Sequence, residues 1–201
     1  MRVIVFGATG KTGQHVCRVA ADQGHDVTAF GRSAERLEQP GLRKVVGNVF
    51  DAAAVADAVA GHDGVIVCLG STGLRDTSTL SDGTASVVAA MTTHGVQRLI
   101  VLSAAGVGES WTQIPFSSKV LFRTMLRNVF ADHEAQEALV HQSTLDWTIV
   151  RAAVLKDGPA VGSYDATNSG PITKITRADV AACLVDQLDA SDHVRQAISV
   201  T

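Results

Sequence analysis

The chain has 201 residues, the length of one domain, and its 46% hydrophobic and 18% charged residues are the balance of a globular protein rather than a disordered one. A formal net charge of -3 excludes the basic surplus of a general nucleic-acid binder, and no apolar run approaches the ~20 residues that span a bilayer. Three widely spaced cysteines in apolar contexts, Cys17, Cys68 and Cys183, read as reduced core thiols of a cytoplasmic protein, and the seven histidines show no metal-ligand spacing. The first strand starts at once, so no signal peptide is expected.

That strand, Arg2-Val3-Ile4-Val5-Phe6, is apolar and β-branched, and it runs directly into Gly7, Gly10 and Gly13. A helical pattern follows at Val16, Val19 and Ala20. A strand, a glycine turn and a helix start form an anion-binding unit, because glycines permit close backbone approach and the first-turn N–H groups attract phosphate. The Gly10-Lys11-Thr12 stretch resembles the end of a triphosphate loop, but the glycine needed five positions earlier is Val5. The spacing therefore rejects ATP or GTP and favours the dinucleotide turn, here in its Gly-x-x-Gly-x-x-Gly form.

The second strand, His25 to Phe30, indicates which dinucleotide. An NAD-preferring fold carries Asp or Glu at the strand's far end for the ribose hydroxyls. This chain has Gly31-Arg32-Ser33 there, with Arg36 one turn on, whereas Asp26 stands at the wrong end. A guanidinium fork and a serine hydroxyl suit a 2′-phosphate, so the expected cofactor is NADP(H).

Further strands are expected near residues 43–46, 64–69, 97–102 and 146–151, and helices near 12–23, 51–60, 80–94, 118–142 and 177–189. Strands and helices alternate with short connections, which predicts a single α/β domain over residues 1–201, a Rossmann-type doubly wound parallel sheet in the order 3-2-1-4-5-6. Ligands of such sheets bind beyond the carboxyl ends of the strands. Asn48 and Val49 are placed there to meet the adenine, and Leu69, Gly70 and Ser71 to pass the nicotinamide-side ribose. Ser103 lies at the end of the central strand, where the nicotinamide is expected.

Alcohol-oxidising short-chain dehydrogenases use a Tyr-x-x-x-Lys pair as proton donor. The one tyrosine here is Tyr164, followed four residues later by Asn168 and lying past the sixth strand. Either the acceptor takes its proton from solvent, as a flavin or conjugated pyrrole can, or the nucleotide site is a sensor.

Several stretches recur in the order found in atypical short-chain reductases with an NAD(P)H-binding domain. They are Gly7-Ala8-Thr9-Gly10-Lys11-Thr12-Gly13, Gly31-Arg32-Ser33, Val46-Gly47-Asn48-Val49, Val67-Cys68-Leu69-Gly70, Ser103-Ala104, Leu145 to Arg151 and Ile175 to Val180. With Asp82-Gly83, Val88 to Met91 and His94-Gly95-Val96, the chain resembles the biliverdin-IXβ reductase/flavin reductase group over nearly its whole length. The resemblance implies that Gly7, Thr9, Gly10, Lys11, Thr12 and Gly13 hold the pyrophosphate, and that Arg32, Ser33 and Arg36 hold the 2′-phosphate. Asn48 and Val49 would flank the adenine, Leu69, Gly70 and Ser71 the ribose, and Ser103 the nicotinamide and substrate. It further implies a monomer. One departure stands out: Ala153 occupies the place of a substrate-side histidine, which weighs against biliverdin and leaves flavin reduction open.

On the substrate side, the connection 104–117 carries Gly106 and Gly108 as hinges and Trp111 and Phe116 as apolar panels, a lid for a planar acceptor. Its pocket would be completed by the C-terminal segment. Lys119, Arg123 and Arg127 form a basic stripe on the next helix, read either as a solvated face or as a partner for flavin phosphate or propionates. His133 aligns with a histidine of the reductase group. The expected function is an NADPH-dependent reductase of a flavin or other conjugated acceptor. The competing one is a non-catalytic NADP(H)-binding sensor or assembly factor of the NmrA-like kind.

Overall fold

The computed structural model describes residues 1–113, 124–152, 154–167 and 173–201. In chain order the elements are β1 (Arg2–Phe6), α1 (Lys11–Asp22), β2 (Asp26–Gly31), β3 (Arg43–Val46), α2 (Ala52–Val59), β4 (Gly64–Val67), α3 (Thr79–His94) and β5 (Arg98–Ala104). These are followed by α4 (Arg127–Gln142), β6 (Asp146–Ala152), β7 (Leu155–Lys156), β8 (Ala166–Thr167), β9 (Ile175–Thr176), α5 (Arg177–Asp186) and β10 (Gln196–Val200).

Alternation along buried strands builds two cores. Val3 and Val5 of β1 face one way and meet Val16, Cys17 and Ala20 of α1 and Val180, Cys183 and Leu184 of α5. Ile4 and Phe6 face the other way, into a core with Val55 of α2, Val87 and Met91 of α3 and Val140 of α4. Helices α1 and α5 therefore cover one face of the sheet, and α2, α3 and α4 the other. The doubly wound expectation is met.

The strand order is β3-β2-β1-β4-β5-β6-β10-β8. The expected six-strand order forms its first part. All pairs from β3 to β10 are parallel, and β8 pairs antiparallel with β10. The seventh parallel strand, β10, goes beyond the sequence expectation, as do β8 and the small β7–β9 pair. In β10 only Ile198, Ser199 and Val200 are buried, a run too short to stand out until β6 pairs with it from Thr148 to Ala152. The fourth strand ends at Val67 rather than 69, because Cys68 already turns toward Gly7, and the last helix ends at Asp186 with Gln187 as its cap. Of the expected helix at 118–142, the described part begins at Thr124, and the helix is interrupted at Met125 and Leu126 before α4 starts at Arg127; Lys119 and Arg123 lie outside the described residues.

Two helices, α2 and α5, are capped by the side chain that precedes them. Asp51 Oδ1 accepts from Ala53 and Ala54 N–H at 3.1 Å each at the start of α2. Helix α3 is capped from elsewhere in the chain. The buried carboxylate of Asp132 on α4 accepts from Leu80 N–H (2.8 Å), Ser81 N–H (3.0 Å) and the Ser81 hydroxyl (2.6 Å), which clamps two helices together.

Candidate functional site

The end of β1 meets the end of β4 so closely that only glycine fits between them. Gly7 has φ +78°, and a Cβ there would lie 2.3 Å from the Cys68 carbonyl oxygen. A Cβ on Gly13 would lie 2.2 Å from the Gly7 oxygen, so α1 packs directly on the turn. Gly10 precedes the helix, donates its N–H to the Gly7 carbonyl (3.0 Å) and brings no capping side chain. No acidic residue occupies the first turn of α1. The result is a helix N-terminus with no capping side chain and no acid in its own first turn, a cradle that suits phosphate.

Two hollows open on either side of this turn. One, of about 280 Å³, runs from Gly7, Thr9 and Gly10 past Arg32 to Asn48 and Val49. The other, of about 530 Å³, runs from Lys11 and Thr12 to Ser71, Ser103 and His133. Gly10, Cys68, Leu69 and Gly70 border both, so the two form one cleft across the strand ends. Gly83 explains part of the Asp82-Gly83 signature: a Cβ there would meet Leu69 at 2.7 Å and Val49 at 3.0 Å, so its absence lets α3 back the cleft walls.

The sequence-derived residues distribute unevenly. Gly7, Thr9, Gly10, Arg32, Asn48, Val49, Leu69 and Gly70 share the first hollow. Ser33 and Arg36 border a different one, of about 680 Å³, which Thr9 also reaches. Arg32 is exposed, and Arg36 stands 3.9 Å from Glu35. The Lys11 amine donates to Asp157 at 2.9 Å, and Arg177 binds the other oxygen of Asp157 at 2.5 Å, so the C-terminal segment is tied over the phosphate turn. Trp111 lies apart from Ser103, in a hollow with Gly106, Gly108, Arg127 and Phe130. Phe116 and Ala153 lie outside the described residues.

Ser103 is 3% exposed and borders the second hollow. Its hydroxyl donates to Glu137 Oε1 at 2.6 Å. Glu137, on α4, is gripped by Arg151 of β6: Nε reaches Oε1 at 3.1 Å and Nη2 reaches Oε2 at 2.7 Å. Burial alone would lower the Arg151 proton affinity, but the hydrogen bonds and charge of Glu137, with Glu109 adding at 3.5 Å, outweigh it and raise it. His133 Nδ1 stands 3.5 Å from Ser103 Oγ. Burial pushes the His133 imidazole below its ordinary value against the opposing pull of the neighbouring Gln136 side chain and of the Glu137 and Asp132 charges, which favours the neutral form at pH 7.

Glu137 is not among the site residues expected from sequence. A signal is present nonetheless: an arginine inside the apolar run Ile149-Val150-Arg151-Ala152 needs a buried carboxylate, and Glu137 stands one turn after His133. The tyrosine is where the sequence placed it, outside the cleft. Tyr164 donates to Asp186 at 2.6 Å, and burial together with that bond pushes its proton affinity up, the reverse of a proton donor's tuning. The cysteines are buried free thiols; burial pushes Cys17 and Cys183 up to about 12, and Cys68 higher still, which removes them as nucleophiles. Among the described residues no group of acidic, histidine and cysteine side chains could hold a metal ion, and no helix is long and apolar enough to cross a membrane.

Known proteins share this fold. ChuY of Escherichia coli, described as an anaerobillin reductase, superposes with a TM-score of 0.83 at 26% identity, covering 100% of this chain and 96% of its own. YhfK of Bacillus subtilis, described as an uncharacterized sugar epimerase, is 27% identical over 100% of this chain and 94% of its own length. A short-chain dehydrogenase/reductase from Veillonella parvula, solved in complex with NADP, shares the fold with a TM-score of 0.83 at 21% identity, covering 99% of this chain and 93% of its own. The family model described as NAD(P)H-binding matches residues 7–191, from the first glycine of the turn to beyond the last helix. The chain belongs to the NAD(P)H-binding family, in the Rossmann-fold company of the atypical short-chain dehydrogenase/reductases.

Proposed function

We propose that the protein is an NADPH-dependent reductase that passes hydride to a flavin or another planar conjugated acceptor. The observation that carries this reading is the continuous two-part cleft: a glycine cradle with Arg32 on one side, and on the other a hollow that holds Ser103 and a neutral His133 but no tyrosine. The residues fit the cofactor, because Gly7 and Gly13 let the turn pack directly on Cys68 and on the helix start, which brings the uncapped N–H groups of α1 to the cleft. Reduced nicotinamide, when bound, supplies the hydride.

The chain's own residues then have distinct tasks. Gly7, Thr9, Gly10, Lys11, Thr12 and Gly13 hold the pyrophosphate, and Arg32, with Ser33 and Arg36 nearby, selects the 2′-phosphate. Asn48 and Val49 border the adenine; Leu69, Gly70 and Ser71 orient the ribose. Ser103 and His133 contact the acceptor, with Ala104 from the start of the 104–117 connection and Leu155 and Arg177 from the C-terminal segment as walls of its pocket. With His133 pushed below its ordinary value rather than raised, catalysis rests on ring orientation and the proton comes from water. The name of ChuY supports a tetrapyrrole or flavin-like acceptor. The bond between Tyr164 and Asp186 weighs against an epimerase or alcohol dehydrogenase. We further propose that the protein works in the cytoplasm as a monomer.

The test is NADPH oxidation, followed by absorbance, with riboflavin, FMN and biliverdin as acceptors. Turnover with a flavin supports the reading. Tight NADPH binding without turnover of any acceptor overturns it in favour of a non-catalytic NADP(H) sensor.

A further inference from the structure

The Ser103 hydroxyl has one proton, and the structure commits it. Glu137 Oε1 takes it at 2.6 Å, the shortest bond Ser103 makes. Glu137 cannot return a proton in exchange, because both of its oxygens are occupied by the Arg151 fork. Arg151 itself is locked from above: Glu109 approaches at 3.5 Å, and a Cβ on Gly108 would lie 2.8 Å from Arg151 Nη2. The three groups come from β5, α4 and β6, and all are at most 3% exposed. A buried, fully paired trio of this kind holds one orientation.

The consequence lies on the opposite side of the oxygen. With its proton turned inward, Ser103 has only lone pairs left, one toward His133 Nδ1 at 3.5 Å and one toward the cleft. We infer that Glu137 is a positioning residue that makes Ser103 a hydrogen-bond acceptor toward the second hollow, so that the preferred substrate presents a ring N–H there. This deepens, and rests on, the reading of the hollow as the acceptor site. Oxidised flavins carry one N–H on the isoalloxazine ring, at N3, and linear tetrapyrroles carry several pyrrole and lactam N–H groups. Quinones carry none.

Lumiflavin and 3-methyl-lumiflavin differ only in that N–H and are the probes. Their dissociation constants are measured by flavin fluorescence on the NADP⁺-loaded protein, without turnover, and kcat/KM is measured alongside with NADPH. The wild type is expected to favour lumiflavin about tenfold in both, the worth of one good hydrogen bond. Ser103→Ala is expected to lower lumiflavin binding to the level of its methyl analogue, so that the ratio falls to about one. Glu137→Gln frees the serine proton and offers an amide in place of the carboxylate; the ratio is expected to fall likewise, while NADPH affinity stays within about twofold. A merely structural Glu137 would weaken both flavins equally and leave the ratio unchanged, which overturns the inference. If Glu137→Gln fails to fold, Ser103→Ala decides alone: a preserved ratio refutes. Discrimination in binding without turnover would sink the reductase proposal and keep this one, whereas turnover without discrimination would do the reverse.

Discussion

Replacing Gly7 by alanine isolates the contact on which the cleft is built. Two costs add. The residue sits at φ +78°, where an L side chain costs about 1–2 kcal/mol. The new Cβ would also lie 2.3 Å from the Cys68 carbonyl oxygen and 2.7 Å from its carbon, and neither is the end of a flexible side chain. Cys68 is held in place, because its N–H donates to the Phe6 carbonyl at 2.8 Å. Overpacking against such a wall costs a further ~1–3 kcal/mol, for a total of about 2–5 kcal/mol. Gly24 provides the control: its φ is +85°, but no atom lies within 4 Å of the place an alanine methyl would take, so Gly24→Ala carries the conformational cost alone. In both variants part of the conformational cost is offset by the stiffer unfolded chain, which leaves about 1 kcal/mol for Gly24→Ala and about 2–4 kcal/mol for Gly7→Ala. Urea unfolding with a slope of ~2 kcal/mol per molar then expects the midpoint to drop by about 1–2 M for Gly7→Ala and by about 0.5 M for Gly24→Ala. Equal midpoint drops would show that the β1–β4 approach is not rigid and would refute the reasoning behind a Cβ-free cradle.

Other perturbations read other parts of the molecule. Arg32→Asp removes the exposed guanidinium at the end of β2 and is expected to weaken NADPH by roughly 10–100-fold with little change for NADH, measured by nucleotide fluorescence titration; parallel losses would refute the 2′-phosphate assignment. Arg151→Met strands the Glu137 carboxylate in the core and should cost about 3–5 kcal/mol in urea unfolding, most of it recovered when Glu137→Leu is added. Asp132→Ala takes three hydrogen bonds from the start of α3, two of them to backbone N–H groups, and should cost about 2–4 kcal/mol in the same assay. Acid should destabilise the fold in two stages. Burial depresses His62 and His133 below the ordinary 6.5, so the unfolded chain binds protons that the folded chain resists, and stability falls as pH drops from about 7 through their lowered folded values. Asp179, depressed because bonds from Thr176, Val161 and Gly162 outweigh its burial, contributes stability that is full above 3.8 and lost as pH falls through its folded value. A midpoint that is flat between about pH 7 and pH 5 would contradict the histidine stage.

Much of this molecule can be read in one dimension. The glycine turn, the order of the first six strands, Arg32 at the end of β2 and the missing tyrosine all rest on local rules. A strand alternates by backbone geometry, a glycine marks where a Cβ will not fit, and a helix N-terminus binds anions wherever it stands. Those rules place eight of the expected site residues in one hollow without knowledge of any distant contact. They fail on α4. Its buried residues are Asp132, Gln136, Glu137 and Val140, so the face it turns to the core is mostly polar. Hydrophobic periodicity assigns such residues to solvent, and a basic stripe stands out in their place.

Where those polar groups go is settled by contacts between distant parts of the chain. Glu137 meets Arg151 and Ser103, 14 and 34 positions away, and Asp132 meets Leu80, 52 positions away. Lys11 meets Asp157 across 146 positions. A charge buried without a partner is prohibitively costly, and which partner is available depends on which strands and helices become neighbours. Residue order alone dictates that a dinucleotide is held at the carboxyl ends of a parallel sheet. The packing of α4 against β5 and β6 sets which way the Ser103 hydroxyl points, because hydrogen-bond direction follows the far partner and leaves no trace in local periodicity.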